Sequence, residues 1–361
     1  RFAGRGDGVA LNAFQAHLNG LVRPILTASP EVEELFAPAA EPGALRKNPD
    51  LADVLEVFAA EGPRFFTEGE VGQALLSLPG QVLTAGDLTR ATGIWRKPLR
   101  TYCGHAEVSL NPAPSLGGVL IAMALNLAPT DAGPAEIAAA FEAVARARVD
   151  LALDQAADPE AVGLDPHLLR DLRKSLERKA ATRGTTHISV IASDGSGAAL
   201  TLSNGEGCGR LVPGTGIQPN NMLGEEDLNP AGPTGWTPQQ RLASMMCPAS
   251  LRQPDGALTL LGSGGSARIR TALPRVMRAL VHGTPPEEAI ALPRIHAEPG
   301  RIDFEDIGGE AFRAAILDHF PEATPWPEPS MFFGGVHIAQ AGPNGARAAG
   351  DPRRAGAAET S

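Results

Sequence analysis

The 361-residue sequence predicts a layered α+β fold. Helical apolar spacing dominates its first half, alternating spacing dominates its second, and the two interleave enough to suggest one shared core. Composition fits: 43% hydrophobic and 20% charged residues describe a soluble globular chain, long enough for one large or two ordinary domains. Glycine (41) and proline (32) predict many turns, and aromatics at 4% leave the packing to aliphatic side chains.

The elements follow in order. Residues 30–36 and 50–60 have helical spacing, with Leu51, Val54, Leu55 and Phe58 forming one buried face. Residues 69–78 make another short helix, and Thr84-Ala85-Gly86-Asp87 is a helix start. Residues 102–110 suit one strand, closed by Asn111-Pro112-Ala113-Pro114. The apolar run 119–125 is too short to cross a bilayer, which takes about 20 residues. Residues 134–151 form an Ala-rich helix with Pro134 in its first turn. A surface helix over 167–181 follows, with a narrow stripe of Leu168, Leu169, Leu172 and Leu176. Residues 187–192 and 198–203 alternate around Asp194-Gly195, a hairpin. A strand over 257–261, a tight loop over 262–266 and an amphipathic helix over 267–282 come next. Residues 301–306 and 335–340 are strand candidates, Pro343-Asn344-Gly345 is a hairpin turn, and the residues from 352 onward look like a tail.

A net charge of -10 and a pI near 5.3 argue against a general nucleic-acid binder, which needs a basic face. Three cysteines, Cys103, Cys208 and Cys247, give neither metal spacing nor a disulfide framework. His282, His296, His319 and His337 show no ligand spacing, so neither a metal nor a cofactor is expected. No signal peptide is visible, and the sequence begins at Arg1 rather than Met.

The chemistry centres on Thr185. A threonine hydroxyl alone is a poor nucleophile. If the chain were cut before Thr185, the freed α-amine would lie within reach of its own Oγ and titrate at about 8, which suits a general base. Gly184 supplies the backbone freedom that self-attack on a peptide carbonyl needs. Thr185-Thr186 by itself is only a strand pair, and its context decides.

Arg183-Gly184-Thr185-Thr186-His187-Ile188-Ser189-Val190, then Pro213-Gly214-Thr215-Gly216-Ile217 and Asn220-Asn221, resembles the start of the small subunit of gamma-glutamyltranspeptidases. Ser244-Met245-Met246-Cys247-Pro248 resembles that family's Ser-Ser-Met-Ser-Pro segment, and residues 262–269 resemble its Gly-Gly oxyanion loop. Gly335-Val336-His337 and Gly350-Asp351-Pro352-Arg353 also fit, in order. Upstream the likeness is weaker, and Asn111-Pro112-Ala113-Pro114-Ser115-Leu116-Gly117-Gly118 departs from a Pro-Pro-Ser-Ser-Gly-Gly loop.

The resemblance implies an Ntn-hydrolase αββα sandwich, cut between Gly184 and Thr185. Residues 1–184 would be a large-subunit portion and residues 185–361 the small subunit, held as a heterodimer. Thr185 would be the nucleophile, Ser203 the hydroxyl that bonds it, and the backbone at Gly264, Gly265 and Ser266 the oxyanion site. For the substrate it implies Glu225 on the ammonium and Ser244 on the carboxylate, with Met245 where the family has a second serine. Asn204 sits one position early for a family asparagine, and Glu226 replaces Glu225 if the loop shifts by one. His187 is expected to be structural. The family's Arg-Glu-x-Ala-Pro stretch is not found and residues 1–20 match nothing, so the chain is read as N-terminally incomplete.

The implied activity is transfer of a γ-glutamyl group from a glutathione-like donor to water, an amino acid or a peptide. Family members suggest a periplasmic or secreted setting. A related acylase acting on another amide, such as a β-lactam side chain, and an unprocessed inactive chain are the alternatives.

Overall fold

Frequent proline and glycine break the chain into short elements, and a computed structural model describes residues 6, 8–36, 41–80, 82–172, 185–225, 232, 235 and 240–360. They group into two units, residues 1–95 with 204–222, and residues 96–203 with 223–361.

The first unit is mainly helical. It holds α1 (Ala13–Leu21), α2 (Arg23–Leu26), α3 (Pro30–Phe36), α4 (Pro49–Glu61), α5 (Arg64–Thr67), α6 (Glu70–Leu76) and α7 (Ala85–Arg90), with β1 (Val9–Ala10) pairing β2 (Leu45–Arg46). The predicted start at Thr84 is a reciprocal capping box: Asp87 N donates to Thr84 Oγ1 at 3.3 Å and Thr84 N to Asp87 Oδ2 at 2.8 Å. Asn48 caps α4 and donates from Nδ2 to the Gly216 carbonyl at 2.9 Å, tying residues 204–222 to this unit. The buried face of α4 is narrower than expected. Val54 joins Phe65 and Val71 in a small core, while Leu55 and Phe58 stay 50% and 37% exposed. A unit this small covers only a line along the helix.

The second unit carries the sheets. A six-stranded antiparallel sheet runs in the order β13-β12-β8-β7-β4-β3. Its strands are β3 (Leu99–Cys103), β4 (Ala106–Leu110), β7 (Ala249–Arg252), β8 (Leu258–Gly264), β12 (Gly335–Gly342) and β13 (Gly345–Ala349). The one strand expected over 102–110 is a hairpin, because Gly104 takes φ 57° and turns the chain between β3 and β4. The loop expected over 262–266 begins later, since Gly262 to Gly264 continue β8 in register with β12.

The predicted hairpin, β5 (Thr186–Ile191) with β6 (Gly197–Leu202), lies against β8 and β12 as a second sheet. Across the six-stranded sheet pack α8 (Leu116–Leu127) and α12 (Ile269–Val281). The first is apolar all round and nearly every residue is buried. Its last carbonyls, otherwise unsatisfied, are capped by the buried Arg278, which donates to Ala124 O at 3.1 Å and Ala128 O at 2.9 Å. Next in chain order are α9 (Pro134–Asp150), α10 (Pro159–Gly163), α11 (Pro166–Leu172), α13 (Pro286–Ala291) and α14 (Glu310–Leu317). A three-stranded sheet joins β9 (Ile295–Glu298), β10 (Arg301–Glu305) and β11 (Thr324–Trp326), with α9 packed on it. In the described part of the expected 167–181 helix, α11, Leu168, Leu169 and Leu172 are half-buried and no residue is fully buried; residues 173–181 lie outside the described residues.

The segment from 352 is no loose tail. Asp351 and Arg353 are buried and form a charged quartet with Arg294 and Glu305. Arg294 Nη2 meets Asp351 Oδ2 at 2.9 Å, Arg353 Nη2 meets Glu305 Oε2 at 2.6 Å, and Arg353 Nη1 meets Asp351 Oδ1 at 3.2 Å. Removing one member strands buried charge, so Asp351→Ala is expected to cost about 3–5 kcal/mol in denaturant unfolding. A loss below about 1 kcal/mol would contradict this account.

Candidate active site

Thr185 stands at the mouth of β5, half-buried, immediately before Thr186 pairs with Leu202. Extending that register by one residue sets Ser203 directly across from Thr185. The Thr185 carbonyl oxygen stacks on Gly264, where any Cβ would overlap it. Beyond Gly264 the strand ladder ends and the backbone turns sharply, with Gly265 at φ 130° and Ser266 at φ 49°. Such angles suit glycine, so Ser266 is held in a conformation that an L-residue adopts at a cost of about 1–2 kcal/mol. The turn carries the N–H groups of Gly265 and Ser266 past the ladder and leads through residues 266–268 into the N-terminus of α12. Its shape is fixed from behind, because a Cβ on Gly265 would come within 2.8 Å of Gly334 Cα.

The Ser244 segment reaches the same unit by a different route. The Ser244 carbonyl accepts from Leu116 N at 2.9 Å and Gly117 N at 3.2 Å, at the start of α8. Ser115 Oγ donates to the Met246 carbonyl at 2.6 Å, and Ser115 Oγ lies 3.4 Å from Ser244 Oγ. Cβ atoms at Gly117 and Gly118 would overlap the carbonyls of Met245 and Asn111. Thus the loop at 111–118 grips residues 244–247. Both Ser244 and Met245 are buried. Glu225 is also buried in this unit, while Glu226 lies outside the described residues. Asn204 belongs to the other unit, exposed and bridged to Glu206. The structure therefore brings together Thr185, Gly264, Gly265, Ser266 and, by register, Ser203. Ser244 and Met245 are held instead against the start of α8.

Three neighbours were not assigned roles from sequence. Gly334 buttresses Gly265, the Arg354 stem lies over Gly335 and Gly264, and Asp351 Oδ2 accepts from Val336 N at 3.0 Å. The Gly350-Asp351-Pro352-Arg353 motif was the available signal. Arg354 is held at about 10, below the usual guanidinium range, by burial, with Asp351 opposing.

The family model for gamma-glutamyltranspeptidase matches residues 6–361, so the likeness starts before residue 21, where it was expected to begin. The chain belongs to the gamma-glutamyltranspeptidase family. It is 28% identical over 312 residues to "Acylase ACY 1 proenzyme" of Pseudomonas sp. (strain SE83), covering 77% of this chain and 55% of that one. To "Glutathione hydrolase 2" of Arabidopsis thaliana it is 27% identical over 364 residues, 87% of this chain and 62% of the relative. The chain thus spans less than two thirds of the length of these curated relatives. A crystal structure of cephalosporin acylase from Bacillus halodurans superposes with TM-score 0.77 at 20% identity, over 97% of this chain and 71% of that one. That likeness gives this family member the Ntn-hydrolase αββα fold. Among the described residues no helix is long and apolar enough to cross a membrane, and no group of three or more His, Cys, Asp or Glu side chains could hold a metal.

Two buried histidines shape how this gamma-glutamyltranspeptidase-family chain responds to acid. Burial, with His337 nearby, pulls His187 down to about 4. Burial also pulls His296 to about 4, against the opposing effect of Glu298. Both are neutral in the folded chain at pH 6, whereas the unfolded chain protonates near its ordinary value of about 6.5. Below that value the unfolded state binds more protons, so stability present above about pH 6.5 is lost progressively down to about pH 4. Melting temperature should fall across that window, and His187→Gln should flatten part of the slope. A level profile there would refute the assignment.

Proposed function

We propose that this chain is part of a self-processing amidohydrolase in which Thr185, freed by a cut after Gly184, is the nucleophile. The observation that carries the reading is the seating of Thr185 on Gly264, beside the turn at Gly265 and Ser266, immediately before β5. The freed α-amine accepts the proton of Thr185 Oγ as Oγ bonds to the γ-amide carbonyl carbon of the substrate. Backbone N–H groups at Gly264, Gly265 and Ser266 stabilise the oxyanion, aided by the helix start behind them. Collapse breaks the C–N bond, the amine passes its proton to the leaving nitrogen, and a γ-glutamyl ester remains on Thr185. Water, an amino acid or a peptide then takes the acyl group and restores the hydroxyl. Ser203 holds Oγ by a hydrogen bond. Glu225 and Ser244 recognise the two ends of the γ-glutamyl group, with Met245 bordering it.

Residues 1–184 and 185–361 would be the two products. Their pairing as a heterodimer is supported by β4 and β7, which lie on opposite sides of the cut and share one sheet. A glutathione-like compound is the donor on this reading.

A second reading is favoured by Met245, which is buried and offers no donor where the family resemblance implies a serine. On that reading the same nucleophile acts on another side-chain amide, such as that of an acylated β-lactam, in keeping with the acylase names among the relatives. Rates on glutathione and on an acylated β-lactam separate the two.

Thr185→Ala is expected to leave a single uncut band on a denaturing gel and no turnover, while Thr185→Ser is cut and turns over more slowly. A Thr185→Ala chain that is cut before position 185, or that turns over at the wild-type rate, would end the proposal.

A further inference from the structure

Two glycines of β8 receive two alternate residues of the strand that Thr185 leads into. A Cβ on Gly264 would overlap the Thr185 carbonyl oxygen, and a Cβ on Gly262 would overlap the imidazole of His187. Residues 262 and 264 share one face of β8, because strand side chains alternate with period two, and that face receives the His187 ring and the Thr185 backbone carbonyl. The nucleophile strand therefore touches the six-stranded sheet at two matched points. His187 makes the stronger anchor. It is only 5% exposed, its Nδ1 lies 2.8 Å from Thr201 Oγ1 on the paired strand, and its Nε2 lies 2.8 Å from Ser189 Oγ. With both ring nitrogens engaged, His187 has no lone pair left for a substrate or for Thr185. A slip of one residue would place an outward-facing side chain, Thr186 or Ile188, over Gly262.

We propose that His187 is a positioning residue: seated on Gly262 and bonded to Thr201 and Ser189, its imidazole sets the height and register of β5 and so the distance from Thr185 to the turn at Gly265 and Ser266. This rests on the reading of Thr185 as nucleophile. Its consequence is geometric, since a displacement of about 1 Å at a reacting group costs on the order of a hundredfold in rate. The hydrogen bonds act within the hairpin, while the glycine seat acts between the sheets; losing either moves Thr185.

The test uses the full 361-residue chain and four variants. Gly262→Ala keeps both histidine bonds and closes the seat. His187→Leu keeps the bulk and removes both bonds. His187→Asn returns an amide where Nδ1 stands, within reach of Thr201. Thr185→Ala checks the underlying reading. The readouts are the rate of the cut before Thr185, kcat and KM on whichever of glutathione or an acylated β-lactam the wild type turns over, and the melting temperature. Gly262→Ala and His187→Leu are expected to slow the cut and kcat about tenfold or more, with KM within about threefold and most protein still folded, and His187→Asn to recover part of the loss. If Thr185→Ala is inactive but Gly262→Ala and His187→Leu keep wild-type kcat, the positioning role is wrong. It is equally wrong if activity falls only in proportion to folded protein. If Thr185→Ala is as active as the wild type, or the wild type is neither cut nor active, the nucleophile reading fails and takes this inference with it.

Discussion

Four charged side chains with almost no exposure, Arg294, Glu305, Asp351 and Arg353, determine where the ends of the sheets meet. Taking such ions out of water costs several kcal/mol each, and their mutual attraction offsets that only when every partner is in place. The quartet therefore forms as a whole. Arg294 leads into β9, Glu305 ends β10, and Asp351 and Arg353 follow β13, so assembling the four fixes three strand ends at once. Backbone groups join in: Arg294 N and Ser330 N each donate to the Glu305 carboxylate at 3.0 Å, and Val336 N donates to Asp351. From Val336 the constraint passes to Gly335, which pairs with Gly264, and to Gly334, which backs Gly265. The turn beside Thr185 is thus held by charges several residues away from it.

The opposite constraint comes from residues that contribute no side chain at all. Stacked sheets ordinarily sit about 10 Å apart, with side chains filling the gap. At Gly262 and Gly264 the gap is filled from one side only, by the His187 ring and the Thr185 backbone. This lets the start of β5 approach the end of β8 closely enough for the turn at Gly265 to lie beside Thr185. A second use of the same device appears at Gly117 and Gly118, where the Ser244 segment is drawn against the N-terminus of α8. In both places a buried charge or helix end supplies stiffness, and glycine supplies proximity.

How much of this was legible in the sequence depended on how local the cause was. The β5–β6 hairpin was readable because Asp194-Gly195 and strict alternation are local signals, and so was the capping box at Thr84. The ordered motifs from Thr185 to Arg353 carried the family. What escaped were effects of distant neighbours. Nothing in residues 102–110 distinguishes one strand from two short ones except the φ that Gly104 takes. Leu55 and Phe58 sit in a helical pattern that any core would have buried, but the first unit is too small to cover them. The segment after Asp351 reads as a polar tail until Arg294 and Glu305, about 50 residues upstream in sequence, are seen to need it. Sequence pattern reports which face is apolar; it does not report how much core exists to receive that face, or which buried charges require one another.

The position of the proposed cut gives this arrangement its sense. Thr185 lies inside the second unit, and the contacts that build that unit cross the break: β4 pairs with β7, and α8 packs on α12. On the proposed reading, neither product would carry a complete six-stranded sheet, so cutting one peptide bond would not release a part. It would instead create an amine at a point whose surroundings are already fixed by His187, Gly262 and Gly264. A general base made this way needs no further side chain to be brought near Thr185 Oγ, because the amine and the hydroxyl belong to the same residue. The burden on the fold is then to place one residue relative to one turn, and that is the task the quartet and the glycine seats divide between them.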